Sequence, residues 1–342
     1  MNIYDIAERA NVSPATVSRV MNGNKSVKEE TRKKIQKIIE ETNYVPNSLA
    51  RNLSVGETRN IAFLAPDIEN PFFSKILHGL SDTANQYGYN VFMYGTNDDL
   101  EVEHRILNGV RKEMIKGLVM IPVSDKDKET SEKLESLEKN QIPVVLIDRD
   151  ILNSNFDGVF SDDCDGAKQA VKCLVDEGHT RIAIVTGEQN TRPGRERLKG
   201  YEKALKEAGI EKRPDYIVGG SFKENDAYEA CQKLMNLKEP PTAIFASNNL
   251  ITLGCLKFMK DKGMKIGRDI SMVSFDEIHE LSCTDIELTT VDRPVYEMGC
   301  AALELLEYSF RISGESGKEK IMRRTNVVKT NLIMRGSEKL KK

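Results

Sequence analysis

Side chains with the means to recognise another molecule fall into two groups. The first is the run Ser13-Pro14-Ala15-Thr16-Val17-Ser18-Arg19. Ser13 can cap a helix whose first position suits Pro14. Such a helix buries Val17, Val20 and Met21 and turns Pro14, Ala15, Ser18 and Arg19 outward. The planar guanidinium of Arg19 can donate twice to guanine O6 and N7, and Pro14 and Ala15 can shape the surface or meet a thymine methyl, so this face suits the base edges of a duplex. The second group follows predicted strands: Asp67, Asn70 and Phe72-Phe73, then Asp148-Arg149, Arg195, Asn248-Asn249 and Phe275-Asp276. Carboxylates, amides and guanidinium pair with hydroxyls while aromatic faces cover the apolar side of a ring, a combination suited to a polyhydroxylated ligand. One aspartate after a strand is more often a helix cap, but five strand exits with polar groups point together to a binding site.

The elements that must hold these groups are readable as patterns. A first helix carries Ile6, Ala7 and Ala10 on one face with Asp5 near its positive end, and Asn11-Val12 makes the turn. A third helix, from about Lys28 to Thr42, buries Thr31, Ile35, Ile38 and Ile39 and presents Arg32, Lys33 and Lys37. The three form a helix-turn-helix head. Residues 46 to 53 make a segment too short to hold a helix unaided. From Asn60 onward, β-branched runs alternate with amphipathic stretches, the signature of an α/β fold. Strands are predicted at 61–64, 91–94, 117–121 and 144–147, with helices near 71–87, 99–113 and 129–140. A second set has strands at 182–185, 216–218, 243–246 and 271–274, with helices near 165–177, 194–208, 224–237 and 249–262. A helix near 295–311 and one or two terminal strands complete the pattern. Sheets of this kind bind ligands at the carboxyl ends of their strands, where the second group lies.

With 342 residues the chain can form two domains and a smaller third. A composition of 39% hydrophobic and 30% charged residues excludes collagen-like and wholly disordered chains. No apolar run approaches the roughly 20 residues that cross a bilayer, and the amino end lacks the pattern of a secretion signal, so a cytoplasmic, nucleoid-associated location is expected. The six cysteines include no Cys-x-x-Cys pair, which argues against a zinc site or a disulfide framework. Residues 1 to 60 hold 10 Lys/Arg against 7 Asp/Glu, or +3, leaving -6 on the remainder to reach the net -3. A basic head on an acidic body is compatible with a DNA binder. Nucleotide-binding glycine turns, the phosphate loop, the zinc-protease motif and the nucleophile elbow are missing and the four histidines are scattered, so neither an enzyme nor a cofactor is expected.

The runs Ile3-Tyr4-Asp5-Ile6-Ala7, Asn11 through Asn22-Gly23, Glu30-Thr31-Arg32 and Asn43-Tyr44-Val45-Pro46-Asn47 closely resemble the amino-terminal signature of the lactose/galactose repressor (LacI/GalR) family of bacterial transcriptional regulators, and the resemblance continues to about residue 335. It implies an all-α helix-turn-helix head plus an α/β periplasmic-binding-protein-like body of two parallel-sheet subdomains. The expected boundaries are 1–45 for the head, 46–59 for a hinge helix and linker, 60–160 with 292–322 for one subdomain, and 161–291 with 323–336 for the other. On the DNA side it implies base contacts from Pro14, Ala15 and Arg19, and phosphate or backbone contacts from Ser13, Thr16, Ser18 and Asn22. Asn47, Ala50 and Leu53 fall at the DNA through the hinge helix, Leu53 as a minor-groove wedge. On the effector side it implies Phe73, Asp148, Arg149, Arg195, Asn248 and Asp276; Asp67 and Phe72, read from the strand exits, and Arg293, at the pocket rim, are expected to join them.

The implied protein is a homodimeric repressor of a carbohydrate operon, bound to a palindromic operator and controlled by a small effector. Helix 71–87 and the segment around Ile115 and Leu118 are expected at the dimer interface, though their apolar positions equally suit the core. Four departures stand out. Lys28 replaces a capping serine, Ser274 a glycine, Asn249 an aspartate, and Asp292-Arg293 the usual Arg-Gln, which puts a cation at the pocket rim. The effector is therefore a sugar, sugar phosphate, nucleoside or purine base, with sugar leading. Global catabolite control through a phosphorylated phosphocarrier protein is an alternative; a sugar-binding transport component would lack the head. No leucine heptads follow residue 335, so no tetramerisation helix is expected.

Overall fold

A computed structural model describes residues 2–21, 24, 26–42, 58–110, 112–314 and 323–339. The chain divides into two units, Met1–Thr58 and Arg59–Lys342.

In the first unit, α1 (Ile3–Ala10), α2 (Pro14–Met21) and α3 (Glu29–Thr42) surround a small core of Ile6, Ala7, Ala10, Val17, Val20 and Ile35. Asn2 and Asp5 form a reciprocal capping box at the start of α1. Asn11 closes that helix in the left-handed conformation, with φ 56°, which asparagine tolerates better than most residues. The Ser13 hydroxyl accepts the Thr16 amide at 3.2 Å, helping to cap α2. On α3 only Ile35 is fully buried, Ile38 and Ile39 being half-buried. The predicted hinge segment 46–53 and Asn22 lie outside the described residues.

The second unit holds two sheets of the same winding. The first consists of β1 (Asn60–Ala65), β2 (Asn90–Gly95), β3 (Ile115–Met120), β4 (Val144–Ile147), β5 (Asp157–Ser161) and β11 (Thr325–Val328), in the order β11-β5-β4-β3-β1-β2. In the second are β6 (Ile182–Thr186), β7 (Ile217–Gly219), β8 (Ala243–Ala246), β9 (Ser271–Phe275), β10 (Thr289–Asp292) and β12 (Asn331–Ile333), in the order β12-β10-β9-β8-β6-β7. All pairings are parallel except that of β10 with β12. Around the first sheet pack α4 (Pro71–Tyr87), α5 (Leu100–Val110), α6 (Lys128–Lys139) and α11 (Val295–Gly314). The second sheet carries α7 (Asp163–Asp176), α8 (Arg192–Glu207), α9 (Glu224–Met235) and α10 (Asn249–Asp261). Apolar clusters fill both faces of each sheet, which explains why the central strands read as unbroken apolar runs.

Two differences from the sequence expectation have local causes. Strand β5 was not anticipated, because its first residues are Asp157 and Gly158; it forms where those residues lie against β4. Thr325–Val328 pairs with β5, so the final passage between subdomains lies at residues 329–330 and not at 323. Of the two places open to Ile115 and Leu118, interface and core, both take the core, 5% and 0% exposed.

Helices α4 and α11 cross with their backbones nearly touching. A Cβ on Gly79 would stand 2.0 Å from the Tyr296 carbonyl oxygen, and one on Gly299 would stand 2.2 Å from that of Ile76. Because the obstacles are backbone atoms, a valine at Gly79 must push the helices apart. Gly79→Val is expected to destabilise the body by at least about 1–3 kcal/mol, the usual range for overpacking, and thermal unfolding at the wild-type midpoint would disprove the close crossing.

Candidate functional site

In the head, α2 buries Val17 and Val20 and leaves Arg19, Ala15 and Ser13 exposed, with Pro14, Thr16 and Ser18 half-buried. Of the outward face expected from the helical period, Ala15 and Arg19 are exposed and Pro14 and Ser18 are half-buried. The Arg32 guanidinium donates to the Asn24 carbonyl at 2.7 Å, tying α3 to the segment after α2.

In the body, both sheets reverse direction beside their first strand, at β1/β3 and β6/β8, and strand exits of both converge on one cleft. A cavity of about 610 Å³ is lined by residues of both subdomains. Among them are Asp67, Phe72, Phe73, Asp148, Arg149, Asn248, Asp276 and Arg293, all singled out in the sequence. Asn70 caps α4 by accepting the Phe72 amide at 3.0 Å, and the same oxygen accepts the Asn249 amide at 2.8 Å from the opposite subdomain. Asn248 caps α10 by accepting the Ile251 amide at 2.7 Å. Asp67 accepts the Glu69 amide at 2.9 Å.

Asp148 and Asp276 occupy matching places, immediately after β4 and β9, the corresponding strands of the two sheets. Both hold left-handed backbones, with φ of 63° and 72°. Such conformations cost about 1–3 kcal/mol each outside glycine and gather at functional sites. The Arg293 guanidinium lies between them, donating to Asp148 Oδ1 at 2.6 Å, to Asp276 Oδ1 at 2.8 Å and to Ser161 Oγ at 3.1 Å. It stacks over Phe72 at 4.2 Å. Burial alone would lower its pKa; Asp276, Asp148 and Asp163 overcome that and hold the group above its usual value. Arg149 donates to Asp98 Oδ1 at 2.6 Å and faces the Phe222 ring across the cleft at 5.6 Å.

Arg195 is a correction. Its guanidinium pairs with buried Asp125 and does not line the cavity. Arg197 does, two residues further along α8. It donates to Asp163 Oδ1 at 2.9 Å and to the Ser247 carbonyl at 2.6 Å, with its guanidinium 3.8 Å from the Phe275 ring centre. The signal was present: the inward stripe of α8 is Pro193, Gly194, Arg197, Gly200, Tyr201 and Ala204, at helical spacing, and Arg195 is off it. Asn97, Asp98 and Phe222, which the sequence pattern does not single out, also line the cavity, following β2 and β7.

An outward-facing second helix of a helix-turn-helix and a polar cleft between two matching α/β subdomains define a ligand-responsive DNA-binding regulator. Comparison with known proteins agrees. Residues 2–47 match the model of bacterial regulatory proteins of the lacI family, and residues 58–325 that of periplasmic binding proteins and the sugar binding domain of the LacI family. The chain belongs to the LacI family of transcriptional regulators.

It is 34% identical over 307 residues to catabolite control protein A of Priestia megaterium, covering 90% of this chain and 91% of that one. With the transcriptional repressor PurR of Aliivibrio salmonicida it shares 32% identity over 305 residues, covering 89% and 90%. The solved complex of the regulator CelR with cellobiose superposes with a TM-score of 0.73 at 25% identity, covering 98% of this chain and 99% of that one. No helix among the described residues is long and apolar enough to cross a membrane.

Proposed function

We propose that this regulator is a cytoplasmic, nucleoid-associated repressor of a carbohydrate uptake or catabolism operon, bound to a palindromic operator as a homodimer and controlled by a neutral, polyhydroxylated effector in the cleft. Two heads reading two half-sites require two-fold symmetry. The charge of the cavity lining carries the choice of effector. Six carboxylates line it against four cations, and three of those cations, Arg149, Arg197 and Arg293, are already held by aspartates. A phosphate would need concentrated positive charge with free donors. Hydroxyls, which both donate and accept, suit carboxylate oxygens beside the Asn248 amide and the Phe73 ring. CelR, with its cellobiose complex, is a relative whose ligand fits this chemistry. Reciprocity requires that an effector which weakens operator binding itself bind the DNA-loaded protein less well.

Calorimetric titration with neutral mono- and disaccharides, their phosphates, hypoxanthine and guanine tests the reading. A neutral sugar should bind, and its phosphate should bind at least about tenfold more weakly, a difference of roughly 1.4 kcal/mol. Tighter binding of a sugar phosphate would overturn the charge argument, and purine binding would move the regulator to the purine- or nucleoside-responsive class. The similarity to catabolite control protein A favours a further reading, global carbon control with a phosphocarrier protein as partner. Selection of genomic fragments by the purified protein separates the two, since a local repressor retains one operon and a global regulator retains many.

A further inference from the structure

We propose that Arg293 acts as a tethered ligand, a side chain that bridges the two subdomains and holds the cleft closed in the absence of any effector. Residues 293 and 294 form the passage from β10, in the second sheet, to α11, which packs on the first. From this hinge the guanidinium reaches Asp148 of one subdomain at 2.6 Å and Asp276 of the other at 2.8 Å. It also reaches Ser161, at the first passage between the subdomains, at 3.1 Å. Asp148, Asp276 and Phe72 are the carboxylates and aromatic face that would otherwise grip a bound molecule, and all three are engaged by Arg293.

Opening the hinge separates Asp148 from Asp276, and one guanidinium cannot follow both. The arginine's side chain is 2% exposed and the two aspartates' 6% and 8%, so the broken contact would be an ion pair shielded from water. Attachment to the hinge also gives the guanidinium a high effective concentration at the pair, which a free ligand lacks. With those groups engaged, effector contacts move outward to Asp67, Phe73, Asp98, Arg149, Phe222 and Asn248. It concerns the cleft without effector, and so stands or falls separately from the choice of a neutral sugar.

Hydrogen–deuterium exchange on the full-length protein, without effector, provides the test. In Arg293→Gln, amides of the segments around Asn70 and Asn249, which meet across the cleft, are expected to exchange about tenfold faster or more, while those of β1 and β8 keep their rates. Methylguanidinium added at millimolar concentration is expected to slow the cleft amides again. Because Arg293→Gln leaves three buried aspartates with one arginine and can fail to fold, Asp148→Asn is the second variant. It keeps Arg293 paired with Asp276 and removes only the charge on the opposite subdomain, and it should raise exchange in the same segments by a smaller factor. Wild-type exchange at the cleft in Asp148→Asn, or failure of methylguanidinium to slow a folded Arg293→Gln, would overturn the proposal.

Discussion

Arg197→Ala is expected to lower the stability of the body by about 3–5 kcal/mol, the cost of removing one partner from a buried ion pair. Arg197 and Asp163 have side chains 2% and 0% exposed and lie 2.8 Å apart. Without the guanidinium, buried Asp163 is left with the Ser161 hydroxyl at 3.1 Å and the more distant Arg293 at 3.9 Å, the Ser247 carbonyl loses its donor, and Phe275 loses the cation stacked on its ring. Truncation would also open a void among the side chains of α8. The double variant Arg197→Met with Asp163→Asn should recover part of the loss, because it removes the charge left behind and refills the space. Thermal and denaturant unfolding of all three proteins measures this; a loss below about 1 kcal/mol for Arg197→Ala would mean that the pair is solvated and the cleft floor is wetter than the geometry indicates.

Arg19→Ala is expected to erase most discrimination between operator and unrelated DNA without unfolding the head. The side chain is exposed on α2, whose packing rests on Val17 and Val20 against Ile6 and Ile35. A bidentate arginine–guanine contact is worth about 1–3 kcal/mol of discrimination. A two-fold symmetric complex makes it twice, for a total of roughly 2–6 kcal/mol if the half-sites add. Competition gel shifts at fixed salt, operator against scrambled duplex, read the effect directly. Discrimination that survives the substitution would remove Arg19 from the base-reading surface, and circular dichroism of the same sample confirms whether the head has kept its helices.

Much of the fold was legible because its signals are local. The cap at Ser13, the left-handed turn at Asn11 and the i, i+3, i+4 spacing of Val17, Val20 and Met21 act within a few residues, so they can be read without knowing what surrounds them. The same holds for α4, whose start is announced by Asn70 and Pro71 and whose observed end at Tyr87 matches the pattern. Strand exits were legible because a parallel sheet places its ligand chemistry at one edge, and Asp148, Asn248 and Asp276 stand there in order along the chain.

What the chain alone determined, then, is which residue types stand at the cleft and on the outward-facing helix of the head. Tertiary structure decided which of them are still free to bind. Arg195 and Arg197 are equivalent by type and differ only in helical phase, and the phase acquires meaning once α8 has a sheet to lie against. Strand β5 exists because β4 and β11 flank it, not because Asp157 and Gly158 favour extension. Arg293 could serve as a ligand donor or as a partner of its neighbour Asp292; the fold gives it to Asp148, which is 145 positions away in the chain. A propensity acts between near neighbours, whereas the pairing of buried charges depends on distances that come into being only when both subdomains are in place.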